Sequence, residues 1–173
     1  MERFTNQTLD TKQLPRYEEV QLSALHPKYK RVTLINVALI IAILIITFAV
    51  FYFVNKGNIS NKIWISLAIA TMVISGLIWF FSILAFKKKA FAFRNHDVIY
   101  RSGIVATNTM IIPYNRVQHV ALHEGFISRI FGLAKVEIFT AGGNNSDLEI
   151  PGIAKEEAEN IKQLLMGKIQ KQL

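Results

Sequence analysis

Residues 32–54 read VTLINVALIIAILIITFAVFYFV, and the architecture of the chain turns on them. Only Thr33, Asn36 and Thr47 among these 23 positions are not hydrophobic, and none is charged. At a rise of ~1.5 Å per residue such a helix reaches about 34 Å, enough to cross a hydrocarbon core about 30 Å thick. The 16 Val, Leu, Ile and Phe residues of the run favour insertion by very roughly 5–10 kcal/mol, whereas one central lysine costs about 3 kcal/mol. Insertion wins.

Working outward, residues 63–86, IWISLAIATMVISGLIWFFSILAF, repeat the pattern over 24 positions, broken only by Ser66, Thr71, Ser75, Gly76 and Ser82. Neither run has the polar face that a core helix of a soluble protein this size shows. A signal peptide is also a poor reading of the first run: 31 residues precede it, and Phe-Tyr-Phe-Val closes it where small residues would mark cleavage. With only eight residues between them, 55–62, the helices are expected to lie antiparallel. Ala38 and Ala42 on one helix and Thr71 and Ser75 on the other are the small surfaces expected to meet.

Lys28, Lys30 and Arg31 abut the first run, and Lys87, Lys88, Lys89 and Arg94 follow the second, whereas the linker holds only Lys56 and Lys62. The positive-inside rule then places both termini in the cytoplasm. The expected organisation is an N-terminal cytoplasmic segment (1–31), spans at 32–54 and 63–86 joined by a short external loop (55–62), and a cytoplasmic domain (87–173).

Composition agrees with this division. Of the 173 residues, 51% are hydrophobic and 18% charged, with the apolar excess concentrated between Val32 and Phe86. No cysteine is present, which excludes disulfides, cysteine-ligated zinc and thiol chemistry. The net charge of +8 raises nucleic acid as a partner. Beyond Phe86, however, twelve Lys and Arg face eight acids, and without Lys87–Lys89 the balance is nine to eight. A nucleic-acid binder shows a denser basic face interleaved with aromatics. The excess is a belt at the membrane edge, where each cation near anionic lipid contributes about 1 kcal/mol.

From Phe91 the period falls to two. Phe91 and Phe93 alternate with Ala92 and Arg94, and Asn95-His96-Asp97 supplies a turn. Strands are expected at 98–102, 104–112 (stopped by Pro113), 117–124, 134–140 and 147–150. Over 117–124 the apolar face is expected on the even positions. Phe126, Ile127, Ile130 and Phe131 fit one helical turn and are expected to point into the core rather than form a docking edge. Val20, Leu22 and Leu25 are the candidates for packing the N-terminal segment on the domain. In the tail, Ala154, Ala158, Ile161, Leu165, Ile169 and Leu173 form one helical stripe, with Glu156, Glu157 and Glu159 early and Lys168 and Lys171 late, as the helix dipole favours. Successive strands followed by one amphipathic helix describe a small antiparallel sheet capped by that helix.

Chemistry-bearing clusters are few. His119, His123 and Glu124 draw notice as ligands, but zinc takes three or four protein ligands and the order His-Glu-x-x-His is absent. The pair is expected on the exposed face of its strand. Residues 141–146, AGGNNS, lack the Gly-Lys-Ser/Thr ending and following helix of a phosphate loop and read as a hairpin loop. No catalytic constellation, cofactor site or metal site is expected.

Four strings, DVIYRSGI (97–104), IPYNRVQHV (112–120), SRIFGLA (128–134) and VEIFTAGG (136–143), stand behind two apolar helices in an order that resembles the YdbS-like family of bacterial pleckstrin-homology (PH) domain membrane proteins. The likeness runs from about residue 15 to the end. It implies an α+β membrane protein: a two-helix transmembrane hairpin followed by a PH-like antiparallel split barrel of about seven strands, capped by the C-terminal helix. It also implies the bacterial cytoplasmic membrane, no enzyme activity, and the larger YdbT-like proteins as partners; self-association is the alternative expected for a membrane-anchored interaction module. Eukaryotic domains of this fold read phosphoinositides with basic residues between their first two strands, which points here to Arg94 and His96 with Arg101 nearby. The expected headgroup contacts are therefore Lys28, Lys30, Arg31, Lys87, Lys88, Lys89, Arg94 and Arg101.

Overall fold

The computed structural model describes residues 17–141 and 147–170. The first sixteen residues, most of the loop 141–146, and Leu173 of the tail stripe lie outside them, as does the side chain of Ile169. A 310 turn at Tyr17–Glu19 leads to strand β1 (Ser23–Ala24), then helices α1 (Lys28–Asn55) and α2 (Asn61–Lys88). The domain continues with β2 (Ala90–Phe93), β3 (Asp97–Ser102), β4 (Asn108–Pro113), a 310 turn at Tyr114–Arg116, β5 (Val117–His123), α3 (Phe126–Ile130), β6 (Leu133–Thr140), β7 (Leu148–Ala154) and α4 (Lys155–Gln170). Both long helices are apolar enough to cross a membrane and continue about a turn beyond the uncharged runs.

Two antiparallel sheets, β1-β2-β3-β4 and β5-β6-β7, face each other without closing into one barrel. Alternation puts Phe91, Val98, Tyr100 and Ile112 of the first against Val120, Val136, Ile138 and Ile150 of the second. Ala158 and Leu165 of α4 complete this core, with Ile161 partly buried beside them. Ala154, expected on the helical stripe, is instead the last residue of β7.

Seven strands result, and the seventh is the finding. It is β1, from before the hairpin, pairing Ser23 with Phe91 and Ala24 with Ala90. Leu25 follows it into the core at 3% exposure, while Val20 and Leu22 stay partly exposed. The domain is thus assembled from both sides of the hairpin.

Three expectations need correcting. The apolar face of β5 does not keep to even positions: a bulge between Val117 and His119 adds one residue, so Val117 and Val120 are both buried. The α1 side of the helix seam is not Ala38 and Ala42, which are exposed; Val37 is buried, and Ile41, Leu44 and Phe48 are partly buried. Thr71 and Ser75 do lie partly buried on α2, their hydroxyls bonded back to Leu67 O (2.9 Å) and Thr71 O (2.8 Å). That leaves α2 small enough there to receive large α1 side chains. Last, α3 forms as expected, but Phe126 is 84% exposed and Ile130 is 67% exposed, so neither is core. A five-residue helix turns only one side inward, and these two lie four apart on the other.

Candidate functional site

At the far end of the hairpin Trp64 is buried among Phe48, Phe51 and Tyr52, which clamps the two helices beside their linker. At the domain end Tyr29 and Phe86 pack with ring centroids 6.3 Å apart, so the start of α1 and the end of α2 stand side by side. Tyr29 also lies against Gly152 of β7, whose carbonyl accepts a 2.9 Å bond from the His26 N–H. Val32, one turn further, is 1% exposed. The domain is therefore fused to the hairpin by packing rather than hung from it.

That contact collects the basic residues. Lys28, Lys30, Arg31, Lys87 and Lys88 are exposed around the paired helix ends, with Lys89 partly buried next to them. The register places one more cation there: Arg101 of β3 pairs with Ala90, two residues past the end of α2, and is exposed. Arg94 does not join. It lies at the opposite end of β2, about 13 Å further along the strand, and its guanidinium forms a two-pronged ion pair with Asp97. Tyr114, 2% exposed, donates a 2.6 Å bond to Arg94 O and fastens the same turn, and burial pushes its hydroxyl up to about 12. His96 shares this turn, away from the hairpin. The basic residues between the first two expected strands thus lie at the end of β2 remote from the hairpin.

Histidines 119 and 123 are exposed, as expected. His119 stacks on Phe139 at 4.0 Å, and Glu124 pairs with Lys155 at 2.9 Å rather than turning to the histidines. Asp147 accepts bonds from the Thr140 hydroxyl (2.6 Å) and N–H (2.7 Å), which hold its carboxyl below the ordinary 3.8. A depressed carboxyl contributes stability above its unfolded pKa and loses it as pH falls through the folded one. Acidification below about pH 4 is expected to lower the melting temperature of wild type more steeply than that of Asp147→Asn, measured on the full chain in detergent.

The opening between the sheets is the other feature. Among the described residues β4 is hydrogen-bonded only to β3, leaving a six-residue, uncharged free edge from Asn108 to Pro113. An open groove of about 480 Å³ runs along it, lined by Met110, Ile111, Pro113, Arg116, Thr140 and Asp147. Ile111 is 41% exposed there. Natural edges are normally shortened, charged or covered; among the described residues only Pro113 guards this one.

The sequence reading missed β1 and this edge, and it ran the third strand from Ile104, whereas Gly103–Thr107 is a loop. The signal for the loop was Gly103, at φ +113°.

The bacterial PH domain family matches residues 19–169. The UPF0699 transmembrane protein YdbT of Bacillus subtilis is 31% identical over 121 residues, 68% of this chain and 24% of that protein. The UPF0699 transmembrane protein YdbS of the same organism is 30% identical over 102 residues, 57% of this chain and 62% of that protein. The chain thus spans about a quarter of the first relative and less than two thirds of the second. No solved structure gives a significant match. With two apolar helices, an open pair of antiparallel sheets and a C-terminal helix in the matched order, the chain belongs to the bacterial PH domain family, among its YdbS-like transmembrane members.

Proposed function

We propose that the protein is a non-enzymatic interaction module at the inner face of the bacterial cytoplasmic membrane, with both termini in the cytoplasm. It presents the β4 edge to an extended segment of another membrane-anchored chain, a second copy or a YdbT-like relative. The free edge carries this reading: its backbone groups and flanking groove suit an added strand, which takes affinity from main-chain bonds and selectivity from alternate side chains. Its position supports the same partner class. β4 starts close to the bilayer surface, so a partner held in the same membrane meets it at high effective concentration.

The test uses single cysteines in a chain that has none. Thr109→Cys in native membranes is expected to crosslink to a second copy or to a co-expressed relative. Ile111→Lys, which charges the edge, is expected to weaken the association about tenfold, or ~1.4 kcal/mol. Failure of every β4 position to crosslink to either would sink the reading.

Anionic headgroup binding is the second reading, favoured by the gathering of Lys28, Lys30, Arg31, Lys87–Lys89 and Arg101 at one level. If this belt binds lipid specifically, charge reversal at Lys87–Lys89 abolishes saturable binding of phosphatidylglycerol by the full chain. A belt that only sets topology leaves no such saturable binding to abolish.

A further inference from the structure

The register of the first sheet has a consequence for the loop at its end. β2 leaves the end of α2 and runs away from the hairpin, and β3 runs back antiparallel to it. Arg101 returns to the level of Ala90, so whatever follows must pass the level of Lys88 toward the hairpin. Only Ser102 remains paired, with Asn108, before the tip Gly103–Thr107. At ~3.3 Å per residue, the four positions from Arg101 to Val105 rise at most about 13 Å above the level of Ala90, and so about 7 Å at most past the end of α2. The side chains agree with this reach. Ile104 lies against α2, sharing with Ile74, Leu77, Ile78, Phe81, Ser82 and Ala85 an open, mainly apolar groove of about 430 Å³. These helix positions precede Lys87 by two to thirteen residues, about 3–20 Å of rise, along the stretch of α2 that hydrocarbon accepts.

The chemistry of the tip fits that location. No charged residue occurs between Arg101 and Arg116. Val105 at the crest is 96% exposed on the protein. Gly103, at φ +113°, makes the bend so tight that a Cβ there would lie 1.9 Å from Ala106 O. Such a turn thrusts Val105 outward and leaves Ile104 beside α2. Backbone polar groups outside regular structure are not tolerated deep in hydrocarbon. A reach of about 7 Å at most satisfies that constraint, because it leaves the turn's peptide groups at headgroup depth while its side chains enter the acyl region.

We infer that Gly103–Thr107 is a membrane-dipping loop that inserts Ile104 and Val105 among the acyl chains beside α2. It gives the domain an attachment to lipid in addition to its packing on the helices. With α2 and the loop both held, the first sheet cannot rock on the membrane, and β4 keeps a constant attitude to its neighbours. The inference does not depend on the interaction reading and needs only that α2 crosses the bilayer.

Single cysteines at Val105 and Ala106, both exposed and outside regular structure, test it in the full chain. Each is labelled with an environment-sensitive fluorophore and reconstituted in phosphatidylcholine–phosphatidylglycerol vesicles. Phe80→Cys on α2 and Asn95→Cys on the distal turn serve as references. The two tip positions are expected to be quenched by a nitroxide placed shallowly on the acyl chain, as Phe80→Cys is. Iodide is expected to quench them about fivefold less than Asn95→Cys, as suits burial at the headgroup–acyl boundary. Iodide quenching equal to that of Asn95→Cys overturns the inference by placing the tip in water. Protection from both quenchers overturns it too, since protein rather than lipid then covers the loop. If Phe80→Cys itself escapes the nitroxide, α2 is not in the bilayer and the loop insertion falls with it, whatever β4 does.

Discussion

A fragment beginning at Ala90 is expected to be strongly destabilised, although it contains every strand of the domain that follows the hairpin. Two kinds of loss combine. Leu25, 3% exposed in the full chain, leaves a hole in the core, and removing a buried leucine costs about 2–5 kcal/mol. Tyr29 and Phe86, packed against the same core, leave apolar surface uncovered at about 1–3 kcal/mol more. Without β1, β2 also becomes an unprotected edge bearing Phe91. A deficit of about 3–8 kcal/mol is set against the 5–15 kcal/mol typical of a domain. Urea denaturation followed by circular dichroism measures this. A chain joining residues 17–29 to 86–170 through a short flexible linker is the comparison, since the 6.3 Å approach of Tyr29 to Phe86 makes the junction short. The linked form is expected to unfold cooperatively at a midpoint a few molar higher, given slopes of about 1–3 kcal/mol per molar. Equal midpoints would show that the segment before the hairpin contributes nothing.

The second large effect is expected at Gly152, where the hairpin meets the domain. Its φ of +68° is strained for any residue with a Cβ, and that Cβ would stand 2.3 Å from Tyr29 Cγ. The left-handed conformation costs an alanine about 1–2 kcal/mol, and displacing a packed ring adds about 1–3 kcal/mol. Gly152→Ala is thus expected to destabilise the chain by about 2–5 kcal/mol, with α1 lifting from β7 and the 2.9 Å bond from His26 to Gly152 lost. A double-mutant cycle separates the two causes. In a Tyr29→Ala background the steric part disappears and the backbone part stays, so the coupling between the sites should be about 1–3 kcal/mol. Additivity within about 0.5 kcal/mol would mean that Tyr29 yields freely and that the docking is loose.

The two positions show how unevenly the design can be read along the chain. Tyr29 announces itself as a span-end aromatic, and Gly152 announces nothing, because the meaning of a glycine lies in what approaches it. The same holds for Ser23 and Ala24: neither is a strong strand former, and their pairing partners lie beyond the entire hairpin. Ile104 and Val105 fail in the opposite way. Their β-branched side chains read as strand, whereas the backbone turns at Gly103 and leaves them unpaired. Within the candidate belt Arg101 and Arg94 look equivalent in sequence. The β2–β3 register sends one to the helix ends and the other to the far turn with Asp97.

What the sequence by itself determined is whatever depends on local composition and period. Two uncharged runs specify helices that hydrocarbon accepts, lysines border them, alternation specifies most strands, and a stripe at helical spacing specifies α4. Each follows from solvation of neighbouring residues. What only the tertiary structure decided is the meeting of distant segments: β1 on β2, Tyr29 on Gly152, Arg101 beside Lys87–Lys89, the tip along α2 and a β4 edge left unpaired among the described residues. Register and close packing are relations between pairs of segments, and a sequence read one window at a time contains the members of each pair without the distance between them.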